Sequence, residues 1–148
     1  MRSDSQYTVG IHTLILIEYY RDESITSYLV SRSIGCNPVI VRNVFAKLSK
    51  AGILRPGMGK RRTELARPAD EITLFDVFMA TQSDDIERMF KMYEPNPLCP
   101  VGPDIHNVLT SRFERARDAM FEELRRTSIA DLVSEIPPGR GMPPLNVE

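Results

Sequence analysis

Apolar residues at helical spacing mark the first two elements of the chain. Residues 9–20 are rich in Ile and Leu and include the apolar run 14–17, which predicts a helix buried on most of its circumference. A second helix of about two turns follows, with Thr26 or Ser27 as its N-cap. Gly35 stands where a left-handed residue commonly ends a helix, so the second helix is expected to stop there.

A third helix is predicted after a short turn. Asn37 is a good N-cap and Pro38 suits the first helical position, while Gly52 marks the end of a helix that runs to Ala51. Two helices joined by such a short turn form a helix-turn-helix candidate.

The third helix separates into two faces when its residues are placed at about 100° per residue. The apolar face consists of Ile40, Val41, Val44, Phe45, Leu48 and Ala51. The opposite face carries Val39, Arg42, Asn43, Ala46, Lys47, Ser49 and Lys50. Cationic and amide side chains reach base edges and phosphates, so the pattern favours a helix that reads the major groove. An ordinary amphipathic surface helix is the alternative.

A basic hairpin is predicted directly after the third helix. Residues 53–55 and 63–66 are short strand candidates on either side of a turn that contains Pro and Gly. Lys60, Arg61 and Arg62 form the tip. Cations at such a tip enter a minor groove or lie along phosphates, which favours the wing of a winged helix over a solvated turn.

A fourth helix is predicted to pack on the first. Thr73 caps this helix, Asp76 completes a capping box, and the helix reaches Ala80. Residues 83–94 fit either a turn of amphipathic helix or an extended connector, and their pattern does not distinguish the two.

A long helix is predicted after the proline-rich loop 96–103. Asp104 is its expected cap and Thr127 its end. A short helix over 128–136 and a tail over 137–148 follow, and the composition of the tail predicts mobility.

One apolar stripe runs along the long helix at intervals of three and four residues, as in helices that pack lengthwise on another helix. The stripe consists of Ile105, Leu109, Phe113, Ala116, Met120 and Leu124. A helix of roughly six turns is longer than the N-terminal part can cover. The same helix of a second subunit is therefore expected to cover it in a two-fold dimer.

These elements predict a mainly α-helical fold with a small β hairpin, in which a winged helix-turn-helix precedes a long dimerisation helix. Three parts are expected. They are a winged helix-turn-helix DNA-binding domain over 1–82, connector and dimerisation helices over 83–136, and a flexible C-terminal tail over 137–148.

Charge is distributed unevenly along the chain. The 148 residues carry a net charge of −1, yet residues 1–67 hold eleven basic and five acidic residues, a net charge of +6 against −7 for the remainder. Between Arg42 and Arg67, eight basic residues accompany the single acid Glu64. This density suits a polyanion such as double-stranded DNA, and a solvated basic face is the alternative.

Composition disfavours several other classes of protein. No apolar run approaches the roughly 20 residues of a membrane span and no signal peptide is visible, so a cytoplasmic protein with no membrane partner is expected. Two cysteines and two histidines are too few for a disulfide framework or a zinc site. Cys99 and His106 lack an orienting acid for catalysis, so no enzyme is expected. A protein-binding winged helix is disfavoured because the third helix and the hairpin tip carry no acid.

Four stretches carry a resemblance to a known family: residues 25–27 with 37–42, residues 48–55, residues 65–77 and residues 127–132. On these stretches the chain resembles the Rrf-two (Rrf2) family of bacterial winged-helix regulators over nearly its whole length except the tail. The resemblance implies a homodimer in which residues 38–51 enter the major groove, the hairpin contacts the minor groove and residues 104–127 form the interface. The residues expected to contact DNA are Ser27, Asn37, Pro38, Val39, Arg42, Asn43, Lys47, Lys50, Lys60, Arg61 and Arg62.

The chain departs from the family pattern in two places. Members that bind an iron–sulfur cluster carry three closely spaced cysteines before the long helix, whereas this loop has only Cys99. One thiolate cannot supply the ligands of a [2Fe–2S] centre, so no cofactor is expected and the loop resembles that of the cluster-free branch. Relatives often have a glycine run at the hairpin tip, where this chain has Lys60, Arg61 and Arg62.

The expected function is that of a homodimeric transcriptional repressor that occupies a roughly palindromic operator. The alternative is a thiol-based redox or nitrosative sensor, in which modification of Cys99 changes the angle between the two DNA-binding heads. Cys99 is otherwise a small buried hydrophobe, and Cys36 is expected to be inert.

Overall fold

The computed structural model describes residues 6–82 and 88–141, which form helices joined by one hairpin. The helices are α1 Gln6–Tyr19, α2 Ser27–Ile34, α3 Pro38–Lys50, α4 Leu74–Thr81, α5 Gly102–Arg125 and α6 Ile129–Ser134. The strands are β1 Leu54–Pro56 and β2 Thr63–Leu65, and Ala69–Glu71 forms a single 3-10 turn. The mainly helical fold with a small hairpin is therefore confirmed.

Side-chain caps define the helix-turn-helix. The Thr26 hydroxyl accepts a hydrogen bond from the backbone N–H of Leu29 at 3.1 Å and so caps α2, which ends at Gly35 with a φ of 79°. Asn37 accepts from the N–H of Val39 at 2.9 Å and caps α3. The predicted turn between α2 and α3 is confirmed.

The first strand of the hairpin begins and ends one residue later than the pattern predicted. Ile53 is buried and donates its N–H to the Leu48 carbonyl at 2.9 Å, so it closes the end of α3 before the strand begins. The antiparallel ladder then pairs Leu54 with Leu65, Arg55 with Glu64, and Pro56 with Thr63. This ladder places the wing directly beside the end of α3.

The helices α1, α3 and α4 meet at Gly10. A Cβ atom on this glycine would lie 3.2 Å from the Val77 side chain, 3.3 Å from that of Thr81 and 3.6 Å from that of Val44. Val44 and Val77 are fully buried, so the surrounding atoms have little room to move. A hydrogen at this position lets the three helices approach one another.

The start of α1 contacts the start of α4. The Tyr7 hydroxyl donates to the Leu74 carbonyl at 2.8 Å, and its ring meets the edge of Phe78 with centroids 5.3 Å apart. Burial raises the pKa of Tyr7 to about 12, which keeps the hydroxyl protonated as a donor. These contacts extend α1 to Gln6, one turn before the predicted start, and confirm that α4 packs on α1.

The helices α4 and α6 begin side by side with the same motif. Thr73 and Ser128 each form a capping box with the aspartate three residues later, as predicted for Thr73. The two caps form an isolated antiparallel bridge, flanked by backbone hydrogen bonds of 2.9 and 2.8 Å between residues 72–74 and 127–129. This bridge attaches the C-terminal part of the chain to the N-terminal part that contains α1, α2, α3, the hairpin and α4, which we call the head.

The prediction that Asp104 caps the long helix was wrong. α5 begins at Gly102 without a side-chain cap, and Asp104 lies inside its first turn. Pro103 has no N–H and fits the first turn of a helix, so the chain becomes helical before the aspartate is reached. The helix ends at Arg125, two residues before the predicted end, because residue 127 already belongs to the bridge with α4.

Phe121 anchors the last turns of α5 to the head. It is buried, and its ring lies 5.1 Å from that of Phe75 and 5.7 Å from that of Phe78 between centroids. The guanidinium of Arg125 lies 4.0 Å above the Phe75 ring. The remainder of α5 is half-buried or exposed, apart from Gly102 at its start.

The chain on either side of these elements is partly described. Residues 88–90 form a turn that is followed by irregular chain, while the neighbouring residues 83–87 of the predicted connector lie outside the described ranges. α6 ends at Ser134, two residues before the predicted end of this helix.

The first residues of the predicted tail are held by two tyrosines of the head. The Tyr19 hydroxyl donates to the Pro137 carbonyl at 2.6 Å and accepts from the Arg140 N–H at 2.9 Å. The Tyr20 hydroxyl donates to the Gly141 carbonyl at 2.8 Å. The last seven residues of the tail lie outside the described ranges.

Replacing Phe121 by alanine is expected to lower the free energy of unfolding by about 3 kcal/mol, because a buried ring and its contacts are lost. Urea unfolding followed by circular dichroism measures this change. Leu98→Ala is the control, since Leu98 is 87% exposed and its loss should change the free energy by less than about 0.5 kcal/mol. A similarly small effect at Phe121 would show that other contacts attach α5 to the head.

Candidate nucleic-acid interface

The outer face of α3 carries the predicted base-reading side chains. Val41, Val44 and Leu48 are fully buried and fix the helix to the head. Arg42 and Asn43 are exposed on the opposite side. Also open to solvent on that side are Val39, Ala46, Ser49 and Lys50, with Lys47 half-buried. The predicted separation of faces is confirmed except at Ala51, which is exposed because it forms the C-cap rather than part of the helix.

The remaining predicted contacts of the helix-turn-helix lie at helix N-termini. Ser27 is the first residue of α2 and Pro38 the first of α3, and both are half-buried. The side-chain oxygen Oδ1 of Asn37 accepts the capping hydrogen bond, which leaves the side-chain N–H groups available as donors. Helix N-termini carry partial positive charge, so they suit phosphate groups.

The wing turn depends on one glycine. A Cβ atom on Gly57 would collide with the backbone carbonyl of Arg61, and the Gly57 N–H donates to the Arg62 carbonyl at 3.1 Å. This close crossing of the chain turns the tip outward. Lys60 and Arg62 are exposed there, as predicted for a basic tip.

Arg61 points back into the wing rather than outward. Its Nη1 lies 3.5 Å from Oε2 of Glu64, and the side chain is 33% exposed. The other carboxylate oxygen of Glu64 accepts a hydrogen bond from Nε of Arg55 at 2.7 Å. Sequence reasoning missed this cluster. A signal was present in the sequence, since Glu64 is the single acid of the basic segment, and it faces Arg55 in the ladder.

Cations without an acidic partner are concentrated on α3 and the wing tip. Of the eight basic residues between 42 and 67, Arg55 and Arg61 pair with Glu64, and Arg67 lies 3.3 Å from Asp76. The other five have no ion pair with any of the described residues. These five are Arg42, Lys47, Lys50, Lys60 and Arg62.

The predicted dimer stripe lies largely on the part of α5 that projects from the head. Ile105 is 39% exposed and Ala116 is exposed as well. Leu109, Phe113, Met120 and Leu124 are half-buried. The Phe113 ring stacks on that of Phe90, with centroids 4.7 Å apart, so the connector covers part of the stripe within the chain.

The two cysteines occupy different environments. Cys99 lies in the loop before α5, half-buried, with its N–H bonded to the Asn96 carbonyl at 3.0 Å. Cys36 follows α2, and burial raises the pKa of its thiol, so less of the reactive thiolate is present near neutral pH.

The chain is similar to known regulators of transcription. A model of the Rrf2 family, described as "Iron-dependent Transcriptional regulator", matches residues 3–135. The chain is 37% identical over 134 residues to "Putative HTH-type transcriptional regulator YwnA" of Bacillus subtilis (strain 168), a match that covers 90% of this chain and 98% of that protein. It is also 31% identical over 110 residues to "Protein aau3" of Rhizobium meliloti (strain 1021), covering 73% of this chain and 69% of that protein.

Solved structures share the fold. One described as "a putative DNA binding protein" has a TM-score of 0.70 and 35% identity, and the match covers 86% of this chain and 98% of that one. The oxidised form of CymR from Staphylococcus aureus has a TM-score of 0.68 and covers 93% of this chain and 99% of that one. Its 17% identity makes this a likeness of fold alone.

The family description names iron, but the donor atoms of this chain do not fit an iron–sulfur cluster. Within the described residues, no group of three or more His, Cys, Asp or Glu side chains is placed to hold a metal ion. The whole chain has two cysteines, one after α2 and one before α5, whereas such a cluster takes about four protein ligands.

No helix in residues 6–82 or 88–141 combines the length and apolar character needed to cross a membrane. The family is one of transcriptional regulators and not of enzymes, and the Bacillus subtilis relative is named as a putative regulator of this kind. Since the family model covers most of the sequence, and its winged helix-turn-helix is present in the structure, the chain belongs to the Rrf2 family of transcriptional regulators.

Proposed function

We propose that the protein is a homodimeric repressor that binds a roughly palindromic operator in the cytoplasm. The proposal rests on the position of five cations that have no ion pair with the described residues. They lie on the outer side of α3 and at the wing tip, the two surfaces that a winged helix turns toward DNA. Positive charge on these two surfaces matches the phosphates that flank a groove.

α3 fits the role of the reading helix. Val41, Val44 and Leu48 of its apolar side are buried in the core, while Arg42 and Asn43 are exposed in its first turns, where side chains approach base edges. Lys50 is the last residue of the helix and suits a phosphate. The wing carries Lys60 and Arg62 beside this helix, at a position suited to the minor groove.

The stripe of α5 fits a two-fold interface. Phe121 attaches only the end of the helix to the head, and Ile105 and Leu109 lie well before that contact. A second α5 packed along the stripe removes these apolar side chains from water. The two heads then present two copies of α3, which is why a palindromic operator is expected, and occupation of such a site blocks a promoter.

A selection from random duplexes tests both groove assignments. The wild type is expected to select a two-fold symmetric sequence whose half-sites lie about 10 base pairs apart or a multiple of that distance. Arg42→Ala and Asn43→Ala should each relax the preference at a few positions, by about 1–3 kcal/mol for a bidentate contact. Lys50→Ala should weaken operator and random DNA equally. An equal loss for all three variants on both kinds of DNA would contradict base reading by α3.

Leu109→Asn tests the dimer. The amide would lie unsatisfied in the seam of both subunits, at a cost of about 3 kcal/mol in total, which is roughly a hundredfold weaker association. Sedimentation equilibrium measures this change. Ser111→Asn places the same side chain on an exposed position of α5 and should leave the association unchanged. A monomeric wild type at micromolar concentration would refute the dimer and the palindrome together.

A second candidate function, a thiol sensor, is favoured by the difference between the two cysteines. Burial raises the pKa of Cys36, while Cys99 lies in the loop that leads into the proposed dimer helix. We propose that peroxide oxidises the Cys99 thiol to a sulfenic acid, with peroxide reduced to water, and that the altered loop changes the angle between the heads.

A gel-shift assay with mild peroxide or a nitrosylating agent tests whether Cys99 is a sensor thiol or a structural residue. Treatment should release operator DNA from the wild type and from Cys36→Ser, but not from Cys99→Ser. Mass spectrometry verifies that Cys99 is modified. Equal retention of DNA by the wild type and Cys99→Ser after modification would make Cys99 a structural residue.

A further inference from the structure

Glu64 is an acid built into an otherwise basic wing. It stands on β2 directly opposite Arg55 of β1, so the two side chains share one face of the hairpin. The side chain of Glu64 is 11% exposed, whereas that of Arg55 is 59% exposed. A carboxylate at this depth must be compensated by nearby charge, since burial of an isolated charge is costly.

The compensation comes from two arginines at once. Arg55 donates to one oxygen of Glu64 at 2.7 Å, and Arg61 approaches the other oxygen at 3.5 Å. Nε of Arg61 is itself buried without a hydrogen-bond partner among the described atoms. Arg61 is thus turned inward although both of its chain neighbours, Lys60 and Arg62, are exposed.

A paired guanidinium is a poor phosphate ligand, because its charge is already balanced and its donors are oriented elsewhere. The wing has four cations, but Glu64 engages two of them. Only Lys60 and Arg62 then remain free to release counterions from DNA.

We propose that Glu64 withholds Arg55 and Arg61 from DNA phosphates, and so limits the sequence-independent part of DNA binding. This inference rests on the proposed DNA-binding function. Phosphate contacts strengthen binding to operator and random DNA alike, whereas the base contacts of α3 strengthen binding to the operator only. By limiting the first kind of contact, Glu64 lowers the affinity for operator and random DNA by the same factor and makes both less dependent on salt.

Glu64→Gln removes the charge and keeps the size of the side chain. If both arginines are released, the slope of log affinity against log salt should steepen by up to about 1.8 per subunit, from about 0.9 for each added phosphate contact. Affinity for random duplexes at low salt should rise about tenfold or more, and affinity for the operator should rise by a similar factor. Fluorescence anisotropy at several salt concentrations measures all three quantities.

Glu123→Gln is the matched control. Glu123 pairs with Arg126 at 3.1 Å on an exposed part of α5, so the substitution changes the net charge equally but away from the wing. Its salt slope should equal that of the wild type. Thermal unfolding shows whether Glu64→Gln keeps its fold. A folded Glu64→Gln variant with an unchanged slope, or with weaker binding to random DNA, would overturn the inference.

A comparison of two exposed arginines decides the question without disturbing Glu64. Arg62→Gln should lower the salt slope by about 0.9 per subunit. Arg55→Gln should lower it by less than half as much, although Arg55 is more than half exposed in the wing. Equal losses would overturn the inference even if Glu64→Gln failed to fold.

DNA binding by the wild type distinguishes a failure of the proposed role of Glu64 from a failure of the proposed function. Salt-dependent binding of DNA by the wild type, together with an unchanged slope in folded Glu64→Gln, rejects the role of Glu64 and leaves the proposed function standing. Absence of salt-dependent DNA binding by the wild type rejects both.

Discussion

The close approach of three helices at Gly10 is the constraint on which the rest of the structure depends. Because no side chain separates α1, α3 and α4 there, Val44 and Val77 pack directly against the α1 backbone. This contact, together with the burial of Val41 and Leu48, fixes one side of α3 against the core and leaves the side with Arg42 and Asn43 to solvent. The orientation of the proposed reading helix therefore follows from how tightly its hidden side is packed, and not from the polar residues that it displays.

Helix starts set by one side-chain cap were predictable from the sequence, whereas features decided between several nearby groups were not. Thr26, Asn37 and Thr73 bind backbone groups two or three residues away, so the starts of α2, α3 and α4 were found correctly. The start of α5 was missed because Pro103 allows the helix to begin before Asp104. Lys60, Arg61 and Arg62 were predicted to face DNA together, and the pairing of Arg61 with Glu64 was missed because the helix and strand patterns do not show which basic residue a single acid pairs with.

Membership of a family did not decide every property of this chain. The family description refers to iron, but ligand chemistry depends on which side chains are present, and here one thiol stands before α5. In the proline-punctuated loop, the Cys99 N–H donates to the Asn96 carbonyl, and the Cys99 carbonyl accepts from the Gly102 N–H. The scaffold is thus shared with the family, while the ligand chemistry of the loop depends on its own side chains.

The anchoring of the C-terminal segment by Tyr19 and Tyr20 has a consequence for how freely that segment can vary. All three hydrogen bonds end on backbone atoms of residues 137–141, and none depends on a side chain there. Many different side chains are therefore compatible with the same path, provided that residue 139 can adopt the φ of 83° found at Gly139 and that residue 140 is not proline, which has no N–H to donate. The attachment therefore depends on Tyr19 at the end of α1 and on Tyr20 directly after it, both far along the chain from the segment that they hold.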